Sequence, residues 1–332
     1  MRLRFISVFS LRALALFSLA FLFSLRSSAQ TPFRFPPPTD AVEAMRLSLY
    51  DYDRDLPLNT TIKPLDEDEK RVRFSVIYDS VHDQRVSAIY AQPKGFSAPY
   101  PAVILVHGSG GNKDTSYIKM ISGALTAQGY ATFSIDTQYH GDRARPGRSG
   151  EIHMPDSDTM RDAWIQSVVD LRRAVDYLES RPDVDKTKIG YMGFSQGAML
   201  GGVVAGVEAR ISAFCFAVPG AGLMEIVKHI EDYPLLLEHW PVKKTPETMQ
   251  KIQSVALVSD PLYFVGRIGS RNLLIVSAKH DEIIPPTASQ AFIDAAHARE
   301  DQVKRWESGH ILHPAALFDV RNFFVASFGK RT

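Results

Sequence analysis

One serine of the chain lies in a pattern typical of a catalytic nucleophile. Residues 193–197 read Gly-Phe-Ser-Gln-Gly, after an apolar run that predicts a strand and before small residues that predict a helix. A sharp turn from strand to helix lifts a side chain out of a sheet and needs small neighbours, which explains Gly193 and Gly197. We therefore predict that Ser195 is a nucleophile and not part of an ordinary glycine-rich turn.

Two later loops supply the partners that a nucleophilic serine needs. The apolar run at 273–278 predicts a buried strand, and Asp281 lies in the loop after it. His310 lies in a loop after a shorter strand predicted near 302–307. A histidine can take the serine proton while a carboxylate orients that histidine. We therefore expect Ser195, Asp281 and His310 to form a catalytic triad.

Other titratable residues compete for these roles. His313 lies close to Pro314, where the last helix is predicted to start, and we interpret it as structural. His280 and Glu282 flank the predicted acid, and we interpret both as solvated loop residues. The base is therefore expected to be His310.

A glycine-rich loop upstream of the serine predicts a site for developing negative charge. The run at 101–106 predicts a buried parallel strand, and residues 107–111 read His-Gly-Ser-Gly-Gly. Glycines in such a loop let backbone N–H groups approach a substrate oxygen. We expect the amides of Ser109 and Gln196 to form an oxyanion hole, and we interpret His107 as a residue that shapes the loop.

These motifs, and their order along the chain, resemble the α/β-hydrolase family. The loop at 107–111 is similar to the oxyanion loop of lipases and esterases. Residues 281–286 and 308–310 resemble the acid and histidine loops of one branch, which holds dienelactone hydrolases, acetyl xylan esterases and related carboxylesterases. The resemblance covers about residues 70–328. Dienelactone hydrolases proper carry cysteine where this chain has Ser195, so their substrate is not implied.

The spacing of the apolar runs predicts the same architecture. Strands and helices alternate from residue 101 onward, which predicts a mostly parallel sheet with helices on both faces. Alternation at 73–78 and 85–91 predicts a hairpin before this core. We expect strands near 102–106, 130–135, 188–194, 211–217, 273–278 and 302–307, and helices near 116–128, 158–180, 196–207, 287–299 and 315–327.

A long insertion lies between two of the predicted core strands. Residues 220–265 contain no core motif, and their first apolar residues have helical spacing. We expect this insertion to form a helical cap over the catalytic edge of the sheet, with Leu236 and Trp240 binding substrate. A pair of surface helices beside the site is the alternative.

The N-terminus predicts an exported protein. Three arginines precede an apolar stretch of about a dozen residues, and Ser27 and Ala29 are small enough for a cleavage site. We expect a signal peptide over 1–29 and a periplasmic or secreted product that starts at Gln30. The stretch is short for a membrane span, and an uncleaved anchor is the alternative.

The remaining chain is expected to form one domain with an extension. Three prolines at 36–38 predict an extended tether over 30–45, within an N-terminal extension over 30–69. The α/β-hydrolase domain is then expected over 70–332. Cys215 is the single cysteine, so no internal disulfide is possible.

Charge argues against several partners. The chain has 38 Lys and Arg and 37 Asp and Glu, and the leader holds four arginines and no acid, so 34 basic residues remain against 37 acidic ones. Such a balance argues against nucleic-acid binding. No stable membrane insertion is expected once the leader is cleaved. His140, Asp136 and Asp142 could be read as a metal site, but their spacing matches no strong motif and we interpret them as a loop brace.

The residues and the resemblance together imply an exported serine hydrolase of small carboxylic esters. The reaction proceeds through an acyl-enzyme and needs no cofactor or metal. A peptidase or amidase is the first alternative, since the same triad cleaves amides. A non-catalytic binding protein on this fold is the second, and the intact triad argues against it.

Overall fold

A single mixed sheet organises the chain. The structure is a computed structural model that describes residues 32–145 and 158–331, and these residues form a sheet of nine strands. In chain order the strands are β1 (Thr61–Glu67), β2 (Arg71–Asp79), β3 (Arg85–Pro93), β4 (Tyr100–Val106), β5 (Ala131–Ile135), β6 (Val184–Phe194), β7 (Ile211–Ala217), β8 (Asn272–Ala278) and β9 (Val303–Trp306).

The strand order across the sheet is β1-β2-β3-β5-β4-β6-β7-β8-β9. The pairs β1–β2, β2–β3 and β3–β5 are antiparallel. All the pairs from β5–β4 to β8–β9 are parallel. Parallel strands need crossover connections, which the helices supply. The predicted mostly parallel sheet is confirmed.

Helices lie on both faces of the sheet. They are α1 (Ala41–Ser48), α2 (Ser116–Thr126), α3 (Asp158–Ser180), α4 (Gln196–Val207), α5 (Leu223–Lys228), α6 (Pro234–His239), α7 (Pro246–Ser259), α8 (Pro286–Ala295) and α9 (Ala316–Phe328). One apolar core lies between the sheet and α3, α4 and α8, and a second lies between the sheet and α2 and α9.

Strand β4 shows why the core strands read as continuous apolar runs. All seven of its residues are buried. Ile104 faces the first core, and its neighbours Val103 and Leu105 face the second. A strand covered on both faces needs apolar residues at every position, so its sequence does not alternate.

The first part of the chain departs from the prediction. Residues 41–48 form helix α1, capped by the Asp40 side chain, where an extended tether was expected over 30–45. Glu43 in α1 accepts a hydrogen bond of 2.7 Å from Arg267, which fixes the helix to the domain. Strand β1 joins the sheet inside the predicted extension 30–69. The predicted signal peptide, 1–29, and Gln30 lie outside the described residues.

The insertion 220–265 forms helices α5, α6 and α7, which share an apolar cluster of their own with α8. The buried side chain of Asp260, near the end of the insertion, bonds to residues near its start. Its carboxyl group accepts hydrogen bonds from the amides of Gly222 at 3.0 Å and Leu223 at 2.5 Å.

Within 32–145 and 158–331, no helix is both long and apolar enough to span a bilayer.

Candidate active site

Ser195 occupies the turn between β6 and α4. Its φ of 53° and ψ of −118° lie in a region that a residue with a side chain rarely adopts. A Cβ atom on Gly193 would lie 2.2 Å from the carbonyl oxygen of Gly197, and one on Gly197 would lie 2.5 Å from that of Val106. Both glycines are therefore required by this tight turn, as the sequence pattern predicts.

Three predicted site residues meet through hydrogen bonds. His310 Nε2 lies 2.9 Å from Ser195 Oγ. On the other side of the ring, His310 Nδ1 lies 2.9 Å and 3.0 Å from the two carboxylate oxygens of Asp281. A carboxylate only accepts, so Nδ1 carries the proton and Nε2 is left to accept the proton of the serine. Only 11% of the His310 side chain and 6% of the Asp281 side chain are exposed.

The acid loop and the histidine loop hold each other in place. Asp281 Oδ1 also accepts the amides of Ile283 at 2.9 Å and Ile284 at 2.8 Å. Glu282 is exposed, as expected of a loop residue, but its carboxylate also accepts the amide of His310 at 2.9 Å. The interpretation of Glu282 as a solvated loop residue is confirmed, and its hydrogen bond to His310 also joins the two loops.

The competing histidines lie elsewhere. The ring of His313 stacks on Trp306, with centroids 5.5 Å apart and an angle of 8° between the planes. The side chain of His280 is 70% exposed and pairs with Glu307. Neither histidine lines the cavity that contains Ser195.

The glycine-rich loop after β4 approaches the serine closely. A Cβ atom on Gly108 would lie 3.2 Å from Ser195 Cβ, so a side chain there would crowd the turn. His107 is buried, and its Nε2 accepts the amide of Thr137 at 3.3 Å. Its Nδ1 therefore carries the proton and donates to the carbonyl oxygen of Gly108 at 2.8 Å. This arrangement fits the loop-shaping role that the sequence assigns to His107.

A buried ion pair ties this loop to the loop after β5. Asp136 is fully buried, and it accepts the amide of Lys113 at 2.8 Å, the Lys113 ammonium group at 2.6 Å and the amide of Asp142 at 2.9 Å. Burial by itself lowers the pKa of Lys113, but the charges of Asp136 and Asp142 and the hydrogen bonds to both carboxylates together outweigh burial and raise that pKa. In the described ranges, no group of three or more His, Cys, Asp or Glu residues is arranged to hold a metal ion.

A cavity of about 740 Å³ opens at Ser195. The predicted oxyanion residues Ser109 and Gln196 line it, and Gln196 is the first residue of α4. The predicted substrate-binding residues Leu236, which is buried, and Trp240, which is half-buried, line it from the insertion. Most of the other lining side chains are apolar, including Trp164, Phe194, Met199, Ile226, Ile283, Ile284 and Ile311.

This sheet, with the serine turn at the carboxyl end of β6 and helices on both faces, defines the fold as that of an α/β-hydrolase. The chain belongs to the acetyl xylan esterase (AXE1) family, whose model matches residues 38–304. This is a carboxylesterase branch of the α/β-hydrolases, as the sequence resemblance predicts.

Curated proteins also match part of the chain. The chain is similar to YtaP of Bacillus subtilis (strain 168), with 29% identity over 166 residues, or 47% of this chain and 55% of that protein. It spans 55% to 58% of the length of the first curated relatives that it matches.

Solved structures share the fold over most of the chain. An acetyl xylan esterase from Paenibacillus sp. R4 aligns with a TM-score of 0.67 and 20% identity, over 90% of this chain and 97% of that one. Acetyl xylan esterase 1 from Thermoanaerobacterium sp. JW/SL YS485 aligns with a TM-score of 0.68 and 18% identity, over 89% and 96% of the two chains. At these identities the likeness shows the fold alone.

Proposed function

We propose that this protein is a serine hydrolase that cleaves carboxylic esters. In this proposal Ser195 is the nucleophile, His310 is the base and Asp281 orients the histidine. The observation that carries it is the continuous hydrogen-bonded path from Ser195 Oγ through His310 to Asp281, with 2.9 Å at each step. The acetyl xylan esterase family supports esters, rather than amides, as the bonds that are cleaved.

The reaction has two halves. Ser195 Oγ attacks the ester carbonyl carbon and gives its proton to His310 Nε2, while Asp281 stabilises the imidazolium. The amides of Ser109 and Gln196 donate hydrogen bonds to the oxyanion. When the intermediate collapses, the carbon–oxygen bond to the alcohol breaks, and the alcohol leaves with the proton from His310.

Water completes the cycle. It attacks the acyl-enzyme and gives one proton to His310, and the resulting intermediate collapses to release the carboxylic acid. Ser195 recovers its proton from the histidine, so the enzyme returns to its starting state. In this scheme the substrate is a small-molecule ester, and the insertion 220–265 caps it, with Leu236 and Trp240 in contact with the bound group.

A fluorophosphonate probe tests the nucleophile. The probe should label the native protein and should not label Ser195→Ala, because the probe reacts with an activated serine hydroxyl. Ser254→Ala is a matched control, since Ser254 is exposed on α7, where its hydroxyl group donates to the carbonyl oxygen of Lys251. Labelling that persists in Ser195→Ala would refute the assignment. A native protein that takes no label and hydrolyses no ester would favour the binding-protein alternative.

Export is part of the proposal. The arginines, the apolar stretch and the small residues at Ser27 and Ala29 support a signal peptide over 1–29, with a periplasmic or secreted enzyme as product. The mass of the exported protein should correspond to a chain that starts at Gln30. A mass that includes residues 1–29 would favour a retained membrane anchor.

A further inference from the structure

The cavity at Ser195 is far larger than an acetyl group requires. Its volume of about 740 Å³ lies in the range of pockets that enclose whole drug-sized ligands. Indole rings of Trp164 and Trp240 line it together with aliphatic side chains such as Ile226 and Leu236. Apolar surface of this extent favours burial of an apolar group on the substrate, because that burial releases water from both surfaces.

The described residues that line the cavity carry charge of one sign. Glu238, in α6 two residues before Trp240, is the one carboxylate on the lining, and no Lys or Arg of the described residues lines it. Glu238 is exposed, and no ion pair joins it to the described part of the chain. Asp281 lies behind His310 and adds a second negative charge at the site. An anionic substrate group would therefore meet repulsion that no Lys or Arg in the described part of the lining offsets.

We infer that the site takes an uncharged ester whose apolar group is much larger than acetyl, and that Glu238 is a specificity-determining residue that disfavours anionic esters. This inference rests on the proposed ester hydrolysis at Ser195. The insertion determines both the size and the charge of the substrate that the site accepts. Leu236 and Trp240 contact the apolar group, and Glu238 places a negative charge on the lining of the same cavity.

Three 4-nitrophenyl esters test the inference: the acetate, the 3-(4-isopropylphenyl)propanoate and the 3-(4-carboxyphenyl)propanoate. The last two acyl groups have nearly the same shape and differ in charge. With kcat/KM corrected for spontaneous hydrolysis, the native enzyme should prefer the isopropyl ester over the acetate by about tenfold or more. It should disfavour the carboxylate ester relative to the isopropyl ester, and added salt should reduce that difference because salt screens exposed charges.

Two variants test the role of Glu238 in specificity. Glu238→Gln should raise the ratio of kcat/KM for the carboxylate ester to that for the isopropyl ester by about fivefold at low salt. Glu247→Gln makes the same change of charge on α7, away from the cavity lining, and should not alter the ratio between the two esters.

The outcomes separate the inference from the proposed function. If the acetate is the best substrate while Ser195 still takes the fluorophosphonate label, the inferred substrate class is wrong and the hydrolase proposal stands. If no ester is cleaved and no label is taken, the proposed function itself fails. If Glu238→Gln leaves the ratio of the two esters unchanged, or Glu247→Gln changes it equally, the role of Glu238 is overturned.

Discussion

Replacing Asp281 with asparagine should disable the base while leaving the fold almost intact. Asp281 Oδ1 accepts the amides of Ile283 and Ile284, so the oxygen of an asparagine would remain at that position. Its NH₂ group would then replace Oδ2, which lies 3.0 Å from His310 Nδ1. His310 Nδ1–H would then face this NH₂ group at 3.0 Å as well as the remaining oxygen at 2.9 Å. The contact between two N–H groups favours the tautomer with the proton on Nε2, in which Nδ1 can accept from the NH₂ group. In that tautomer the histidine cannot accept the proton of Ser195.

The size of the effect follows from this geometry. The variant loses both the correct tautomer and the negative charge that stabilises the imidazolium. In a triad, that loss lowers kcat by about 10⁴, which corresponds to roughly 5 kcal/mol of activation free energy. The melting temperature should change little, because the two backbone hydrogen bonds to the loop are kept.

The assay is kcat for hydrolysis of 4-nitrophenyl acetate, together with a thermal melt. Glu282→Gln is the matched control, since it removes a charge from the next residue while its amide oxygen can still accept the His310 amide. It should reduce kcat by far less than Asp281→Asn does. The reasoning is refuted if Asp281→Asn retains kcat within about tenfold of the native value in a folded protein.

Three further changes test other parts of the structure. His310→Ala should lower kcat by several orders of magnitude, whereas His313→Ala should have a mild effect, since His313 stacks on Trp306 away from the cavity. Trp240→Ala should change the ratio of kcat/KM between long and short acyl esters by roughly 1–3 kcal/mol, because a wall of the pocket is lost. Burial raises the pKa of Glu208, but hydrogen bonds and charge from Arg210, together with the charge of Arg172, outweigh burial and lower that pKa from 4.5. Ionised Glu208 therefore stabilises the folded protein fully above pH 4.5. This stabilisation is lost as the pH falls through the lowered pKa. Glu208→Gln should destabilise the protein by about 3–5 kcal/mol at neutral pH, and should flatten the acid limb of a melting-temperature curve.

Each of these predictions has an opposing result. A crippling His313→Ala with a mild His310→Ala would mean that the base is misassigned. A uniform loss of activity in Trp240→Ala, together with a lower melting temperature, would mean that this indole is ordinary packing and not a pocket wall. A Glu208→Gln protein that melts like the native one at pH 7 and in acid would show that its ion pair with Arg210 adds nothing to stability.

The sequence by itself determines the core of this fold and the order of the candidate site residues. Strand β4 is buried on both faces, so its continuous apolar run is a local and readable signal. The turn at Ser195 is equally local, because Gly193 and Gly197 are required by contacts within a few residues and with one neighbouring strand. The catalytic roles of these residues stay predictions until they are tested.

Only the tertiary structure decides the remaining features. All seven residues of β1 are exposed, so burial does not alternate along this strand. The strand forms because its backbone pairs with the edge of β2. The amide of His310 meets Glu282 across 28 residues of sequence, and Lys113 meets Asp136 across 23. Glu238 shares a cavity lining with Ser195 only in the folded chain. Such contacts leave no periodic pattern in the sequence, since each partner taken alone is an ordinary polar loop or surface residue.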